Sequence, residues 1–344
     1  MKRIWSKAVP LIAASLAVST LAACGSSSSK TEDDLATFRS VIFPGETYAL
    51  DYIADKKGFF EDHGLKVKYL SPQSGSSAVQ MLAAGEVDGW STAPSIVYNG
   101  AAQGQPIKVG GLIPSYVVYE LIIPKKADWA KPNGTFDEKV QSLKGRTIGV
   151  SGLAAGTDLA LLSSLNAAGM KESDVKRIGV GTTLSGLGQL KAGSIDAYVD
   201  FTGSGARLIE SDGVGQRYLS MYGPDSPKQV DALSDLGLAI NSDWEKKNPK
   251  LFDAWVAALN DAREWLQDSA NLEEAAKIIA DASYKGKNLA EVTDSLKALS
   301  GNMARAGAGF APPADRVDLQ IDVLKKIGAL KADADITSST VILK

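Results

Sequence analysis

Thiols and imidazoles are nearly absent from this 344-residue chain, which has one cysteine, Cys24, and one histidine, His63. A lone cysteine excludes an intrachain disulfide and any zinc site built on paired cysteines. A lone histidine forces any Ser-His-Asp chemistry through His63, which sits in Phe60-Glu61-Asp62-His63-Gly64 and reads as a solvated turn between a helix and a strand. The chain has no Gly-x-Ser-x-Gly elbow. It also lacks a phosphate-binding Walker pattern and a dinucleotide fingerprint; Gly111–Ser115 and Gly181–Gly186 fail those templates. Neither charge sign dominates, with 37 Lys and Arg against 40 Asp and Glu, so a nucleic-acid partner is not expected. Past the N-terminus no stretch approaches the length of apolar chain that a membrane-spanning helix needs.

The N-terminus is organised differently. Lys2, Arg3 and Lys7 precede an apolar run from about Ala8 to Leu21, interrupted only by Pro10. That is the layout of a secretory signal. It ends in Leu21-Ala22-Ala23-Cys24-Gly25, which resembles the lipobox of bacterial lipoproteins. The resemblance implies cleavage before Cys24, acylation of Cys24, and tethering to a membrane by acyl chains worth about 0.8 kcal/mol per buried CH₂. Residues 1–23 are then a signal peptide and 24–36 a Ser-rich, acidic tether. Loss of residues 1–23 leaves 321 of the 344 residues and, with three cations removed from a formal charge of −3, a charge near −6. No thiol then remains in the folded part.

From Phe38 onward, strand-like and helix-like segments alternate, which argues for α/β architecture with largely parallel sheets. Strand patterns fall at Phe38–Phe43, Leu65–Leu70, Val87–Trp90, Ile107–Ile113, Tyr116–Ile123, Thr147–Val150, Val175–Val180, Ile195–Val199 and Leu236–Ile240. Beyond these the chain turns helical, with Leu251, Phe252, Trp255, Leu259, Ala262 and Leu266 at the spacing of one helix face. Trp255 and Trp265 read as core residues of that helix. Gln80–Gly89 echoes Gly188–Ala197: each reads as a helix, a glycine cap, a tight turn and a strand. Two halves built on one plan would give this echo, and so would two ordinary αβ units.

Chemistry concentrates in loops between a strand and a helix. Ser74–Ser77, Ser91–Ala93, Ser151–Thr157 and Gly181–Ser185 offer hydroxyls and backbone N–H groups at helix N-termini, a setting that suits negatively charged oxygen. Ser and Thr also serve as plain helix caps there. Tyr48, Trp90, Tyr116, Tyr119 and Phe201 fall at or near strand ends beside these loops. Arg207 follows Asp200-Phe201-Thr202-Gly203-Ser204-Gly205-Ala206 and reads either as an anion clamp or as a surface arginine.

Together these segments resemble the periplasmic-type substrate-binding proteins of ABC importers, in the nitrate/sulfonate/taurine-binding branch that includes the thiamine-precursor-binding type. The residues carrying the resemblance are Ala54–Leu65 (Ala-x-x-Lys-Gly-Phe-Phe-x-x-x-Gly-Leu), Ser74–Trp90, Leu143–Val150, Gln189–Val199 and Asn248-Pro249. The resemblance implies the two-lobed, type II periplasmic-binding-protein fold, with parallel-rich sheets flanked by helices and a helical C-terminal region. One lobe would hold 37–122 and 236–344, the other 123–235, with crossings near Ile122 and Leu236 and a ligand cleft between. The ligand-binding set is then Tyr48, Ser74, Ser76, Thr92, Tyr116, Thr157, Thr183 and Thr202. The expected solute is a small organic anion, a sulfonate or aromatic carboxylate; the alternatives are a neutral pyrimidine-type thiamine precursor or an enzyme on the same scaffold. Where the branch often carries a Pro-containing segment, this chain has Asp200-Phe201-Thr202-Gly203. The related pyrimidine synthases need a cysteine-rich motif that this chain cannot supply. Expected partners are the solute, an ABC permease, and the membrane through Cys24, with a monomeric chain, no cofactor, no metal and no catalytic residue.

Overall fold

The computed structural model describes residues 35–72, 75–201, 203–306 and 309–344. The expected signal peptide, Cys24, nearly all of the tether, Ser74 and Thr202 lie outside these residues, and the Ser76 side chain is not described either. Four strands open the chain: β1 (Ala36–Val41), β2 (Leu65–Leu70), β3 (Gly89–Thr92) and β4 (Ile107–Ile113). Five more follow: β5 (Glu120–Pro124), β6 (Thr147–Val150), β7 (Lys176–Gly179), β8 (Ala197–Asp200) and β9 (Gly215–Ser220). The last, β10 (Leu236–Asn241), returns to the first group.

Two five-stranded sheets result, ordered β2-β1-β3-β10-β4 and β7-β6-β8-β5-β9. In the first, β1 runs parallel to β2 and β3, while β10 runs antiparallel to β3 and β4. In the second, β6 runs parallel to β7 and β8, while β5 runs antiparallel to β8 and β9. The plan is the same in both, and in each the odd strand is the one that follows a crossing. β10, all of whose residues are buried, takes the inner position that a continuous Leu-Gly-Leu-Ala-Ile run suits.

The internal echo has a structural counterpart. Asp88 and Asp196 each follow a glycine-capped helix, with Gly85 at φ 74° and Gly193 at φ 68°. Asp88 Oδ2 accepts from the Arg39 backbone N–H at 2.8 Å, and Asp196 Oδ2 from that of Thr147 at 2.8 Å. Both aspartates therefore fasten the turn before a strand to the parallel strand beside it, β1 or β6, and each is ion-paired with a nearby arginine, Arg39 or Arg146.

The core of the first lobe is aromatic. Phe38 of β1 stacks on Trp255 of the helix Pro249–Gln267, with ring centroids 4.9 Å apart and planes 21° from parallel. Gly89 leaves room for this pair, since a Cβ there would stand 2.8 Å from Phe38 Cζ and 3.1 Å from Trp255. Trp265, further along, is only partly buried and lies under Lys57 Nζ at 4.8 Å. His63 is not simply solvated: its Nε2 lies 2.7 Å from Asp261 Oδ2, because the same helix packs on Phe59–Asp62.

Three features depart from the sequence reading. The chain leaves the first sheet after Ile113 and enters the second at Glu120, so Ile122 lies inside β5 and Tyr116–Tyr119 form the crossing. β9, Gly215-Gln216-Arg217-Tyr218-Leu219-Ser220, was not expected; as an edge strand it carries polar residues that blur its alternation. The third strand runs to Thr92, so Thr92 is a buried strand residue and the next helix starts at Pro94.

The two crossings are clasped together. Arg316, on the helix Ala314–Lys326, donates to Asp235 Oδ2 at 2.6 Å and to Asp231 Oδ2 at 2.9 Å. Asp235 accepts from the Ser115 N–H at 2.8 Å, and Asp231 accepts from the Ser115 hydroxyl at 2.7 Å. Gln320 donates to Asp235 at 2.6 Å, and Asn302 to the Ser115 carbonyl at 2.8 Å. Ser115 holds a left-handed backbone, φ 53°, inside this net. The helix Leu289–Ala306 also reaches the second lobe: Ser211 donates to Glu291 at 3.3 Å.

Candidate functional site

Ligands of open α/β sheets sit beyond the carboxyl ends of the parallel strands. Here the segments after β3 and β6 face each other across the lobes. Gly156 and Leu159 pack beside Ala93, Pro94 and Ser95. Alongside opens an interlobe cavity of about 450 Å³. The first lobe contributes Gln80, Asn99, Gln103 and Gln105 with Val79 and Ile96; the second contributes Leu153 to Gly156. No charged side chain is among these lining residues. The Gln105 side-chain oxygen Oε1 is buried with no hydrogen-bond partner among the described residues. Leu153 is 59 % exposed and Leu184 68 % exposed, apolar groups on second-lobe segments that follow β6 and β7.

The structure distributes the expected residues as follows. Tyr48 and Trp90 meet, the Trp90 Nε1–H donating to the Tyr48 hydroxyl at 3.1 Å, and Phe43 lies about 6 Å from both rings. Burial pushes the Tyr48 hydroxyl well above its usual range, so it stays protonated. Thr157 is fully buried, and its hydroxyl accepts from the Ser151 N–H at 2.9 Å, closing its own loop. Thr183 donates to Asp200 Oδ1 at 2.8 Å. Tyr116 is fully buried beside the start of the helix Ala49–Lys57, away from the cavity lining. Tyr119 packs its hydroxyl against Gly156, where a Cβ would collide with it. Phe201 is half-buried against the core.

Arg207 is neither an exposed surface group nor an open clamp. Its side chain is 12 % exposed, donates to the Gly203 carbonyl at 2.7 Å, and lies 3.6 Å from Glu120 Oε2. Glu120 is shared, since Arg217 stands 3.6 Å from its other oxygen. Burial nevertheless raises its carboxyl to about 7, against the pull of the two arginines.

Several groups escaped sequence reasoning. The four carboxamides lie on or just beyond two helices and carry no motif. Asp51, on the helix Ala49–Lys57, is buried, and among the described residues neither of its carboxyl oxygens has a hydrogen-bond partner. Desolvation lifts it to about 7. Its one signal is its place beside Leu50, Ile53 and Ala54, on the apolar face of that helix. Among the described residues no cluster of His, Cys, Asp or Glu fits a metal ion, and no helix is long and apolar enough to cross a membrane.

Comparison with known proteins adds three findings. A family model described as NMT1/THI5 like matches residues 47–270. Two curated relatives match at similar levels. One is a putative thiamine biosynthesis protein of Haemophilus influenzae, 27 % identical over 230 residues, which are 65 % of this chain and 66 % of that one. The other is a 4-amino-5-hydroxymethyl-2-methylpyrimidine phosphate synthase of Uromyces fabae, 26 % identical over 219 residues, 60 % of each. The chain thus spans just under two thirds of either relative. Among solved structures, a protein of Methylobacillus flagellatus described as the periplasmic sulfonate-binding protein of a putative sulfonate ABC transporter superposes with a TM-score of 0.63. It is 16 % identical and covers 90 % of this chain and 92 % of its own. That likeness establishes the two-lobed periplasmic-binding-protein fold.

Proposed function

Because the chain belongs to the NMT1/THI5-like family, we propose that it is the solute-binding component of an ABC importer, and that its solute is a neutral, flat heterocycle of the pyrimidine type. The observation that carries the ligand class is the uncharged lining of the interlobe cavity, where carboxamides face apolar side chains. Carboxamides pair with alternating donors and acceptors on a ring edge, whereas an anion needs concentrated donors or a cation. The anion favoured by the hydroxyl-rich loops finds less support, since Thr157 and Thr183 spend their hydroxyls within the protein and Arg207 is held by Gly203 and Glu120. The names of the two curated relatives, which concern thiamine and a pyrimidine, favour the same class.

Binding proceeds without chemistry on the solute. The ligand bridges both lobes and shifts the population toward the closed state, whose surface the permease reads. An acylated Cys24 keeps the receptor on the outer face of the membrane near that permease. The deciding experiment is a thermal-shift series with aminopyrimidines, alkanesulfonates, aromatic acids and nitrate. A true solute at about 100 times its Kd stabilises the fold by about 2.7 kcal/mol. Stabilisation by an aminopyrimidine is expected; stabilisation by sulfonate or nitrate alone overturns the neutral-ligand reading.

A further inference from the structure

A second cavity, of about 330 Å³, lies at the hinge itself, lined by Ser115 of the first crossing, Gly223, Ser226, Lys228 and Asp231 of the second, and Arg316. Most of its polar groups are already matched. Asp231 Oδ1 takes the Ser115 hydroxyl and the Gly223 N–H, at 2.7 and 2.6 Å, and its Oδ2 takes Arg316. Arg316 is in turn matched by Asp235. Two groups are left over. The Ser226 hydroxyl belongs to a residue 8 % exposed and has no hydrogen-bond partner among the described residues. Lys228 lies on the cavity lining and is exposed, in no ion pair formed by the described residues. Leaving a buried hydroxyl without a partner is unfavourable, so the site has room for an acceptor.

We infer that the hinge cavity is a second binding site, distinct from the interlobe cleft, for a small oxyanion bearing a carboxylate or phosphate group. Both leftover groups donate hydrogen bonds, so their complement is an acceptor oxygen. Asp231 and Asp235 together carry one charge more than Arg316 offsets, and Lys228 balances it, so the two leftover donors rather than a net positive charge select the oxyanion. An oxyanion held there touches both crossings, so its occupancy is coupled to lobe rotation.

The test uses the folded protein without transported solute. Inorganic phosphate and acetate are titrated separately, with melting temperature and small-angle scattering as readouts. Wild type is expected to gain stability with anion concentration and to change its radius of gyration. Lys228→Gln and Ser226→Ala each weaken the apparent affinity about tenfold, as loss of a charge-assisted bond does. Lys191→Gln, on an exposed helix of the second lobe, leaves it unchanged. A response to both anions marks a carboxylate-or-phosphate site, and a response to phosphate alone narrows it to phosphate. No stabilisation by either anion overturns the inference, as does an equal response in the Lys228 and Ser226 variants. Stabilisation with unchanged scattering refutes the coupling to the hinge. The result does not depend on which solute fills the interlobe cleft.

Discussion

Replacing Asp51 by Asn removes a proton-binding site from the interior of the first lobe. In the folded protein the carboxyl titrates at about 7, against an ordinary 3.8, chiefly because burial penalises its charge. Well below the ordinary 3.8 both folded and unfolded chains hold the proton, and Asp51 has no pH-dependent effect. Between pH 4 and 7 the unfolded chain has lost it and the folded chain keeps it, so stability falls as pH rises. Above pH 7 the loss is complete, and at 1.36 kcal/mol per pKa unit it amounts to about 4 kcal/mol. Asn resembles the protonated acid at every pH, so its own cost is constant. The measurement is urea unfolding of wild type and Asp51→Asn at pH 4.5, 6 and 8, followed by circular dichroism. Glu120 and Asp235 are also raised by burial, to about 7 and about 6, so both proteins lose stability with pH. The informative quantity is therefore the change in the difference between them. Relative to wild type, the variant should gain about 3 kcal/mol between pH 4.5 and 8, since about 1 kcal/mol of the loss has already occurred by pH 4.5. A difference that stays constant with pH would show that burial does not hold the proton on Asp51.

Other consequences are as direct. Arg316→Ala strips the counter-charge from Asp231 and the fully buried Asp235; a loss of about 3–5 kcal/mol at pH 8 is expected. The loss shrinks at pH 5, where Asp235 takes up a proton, and chemical denaturation at the two pH values checks it. Gly89→Ala forces a methyl group against Phe38 and Trp255 and should cost about 1–3 kcal/mol in melting experiments. Trp255→Ala, which opens a cavity under β1, should cost about 3–5 kcal/mol by the same assay. Asp88→Ala should destabilise more than Asp196→Ala, because the Asp88 side chain is 2 % exposed and that of Asp196 38 %; equal losses in parallel unfolding curves would contradict this.

Strands with strong local patterns were legible. Leu65–Leu70, Ile107–Ile113 and Thr147–Val150 form over the residues their sequences mark. The resemblance to nitrate- and sulfonate-type binding proteins is borne out at the level of family and fold. The repeated helix–glycine–Asp unit was visible too, although only the folded chain shows Asp88 and Asp196 reaching back to Arg39 and Thr147, each 49 residues away. What stayed hidden depends on partners distant in sequence. Arg207 looks exposed until Glu120, on a strand 87 residues earlier, is placed beside it. The cavity carboxamides Gln80 and Gln105 lie on separate segments, and nothing in either segment announces the other.

The sheet orders carry a consequence for how the molecule is made. β10 sits between β3 and β4 in the first sheet, yet 122 residues separate Ile113, where β4 ends, from Leu236, where β10 begins. A growing chain therefore cannot finish its first lobe when that lobe's other strands are complete. β4 has to wait, its edges open, until the whole second lobe has followed it. Closing so long a loop raises contact order and slows folding. A chain whose first lobe cannot set early stays unfolded longer, which accords with the membrane passage proposed for it.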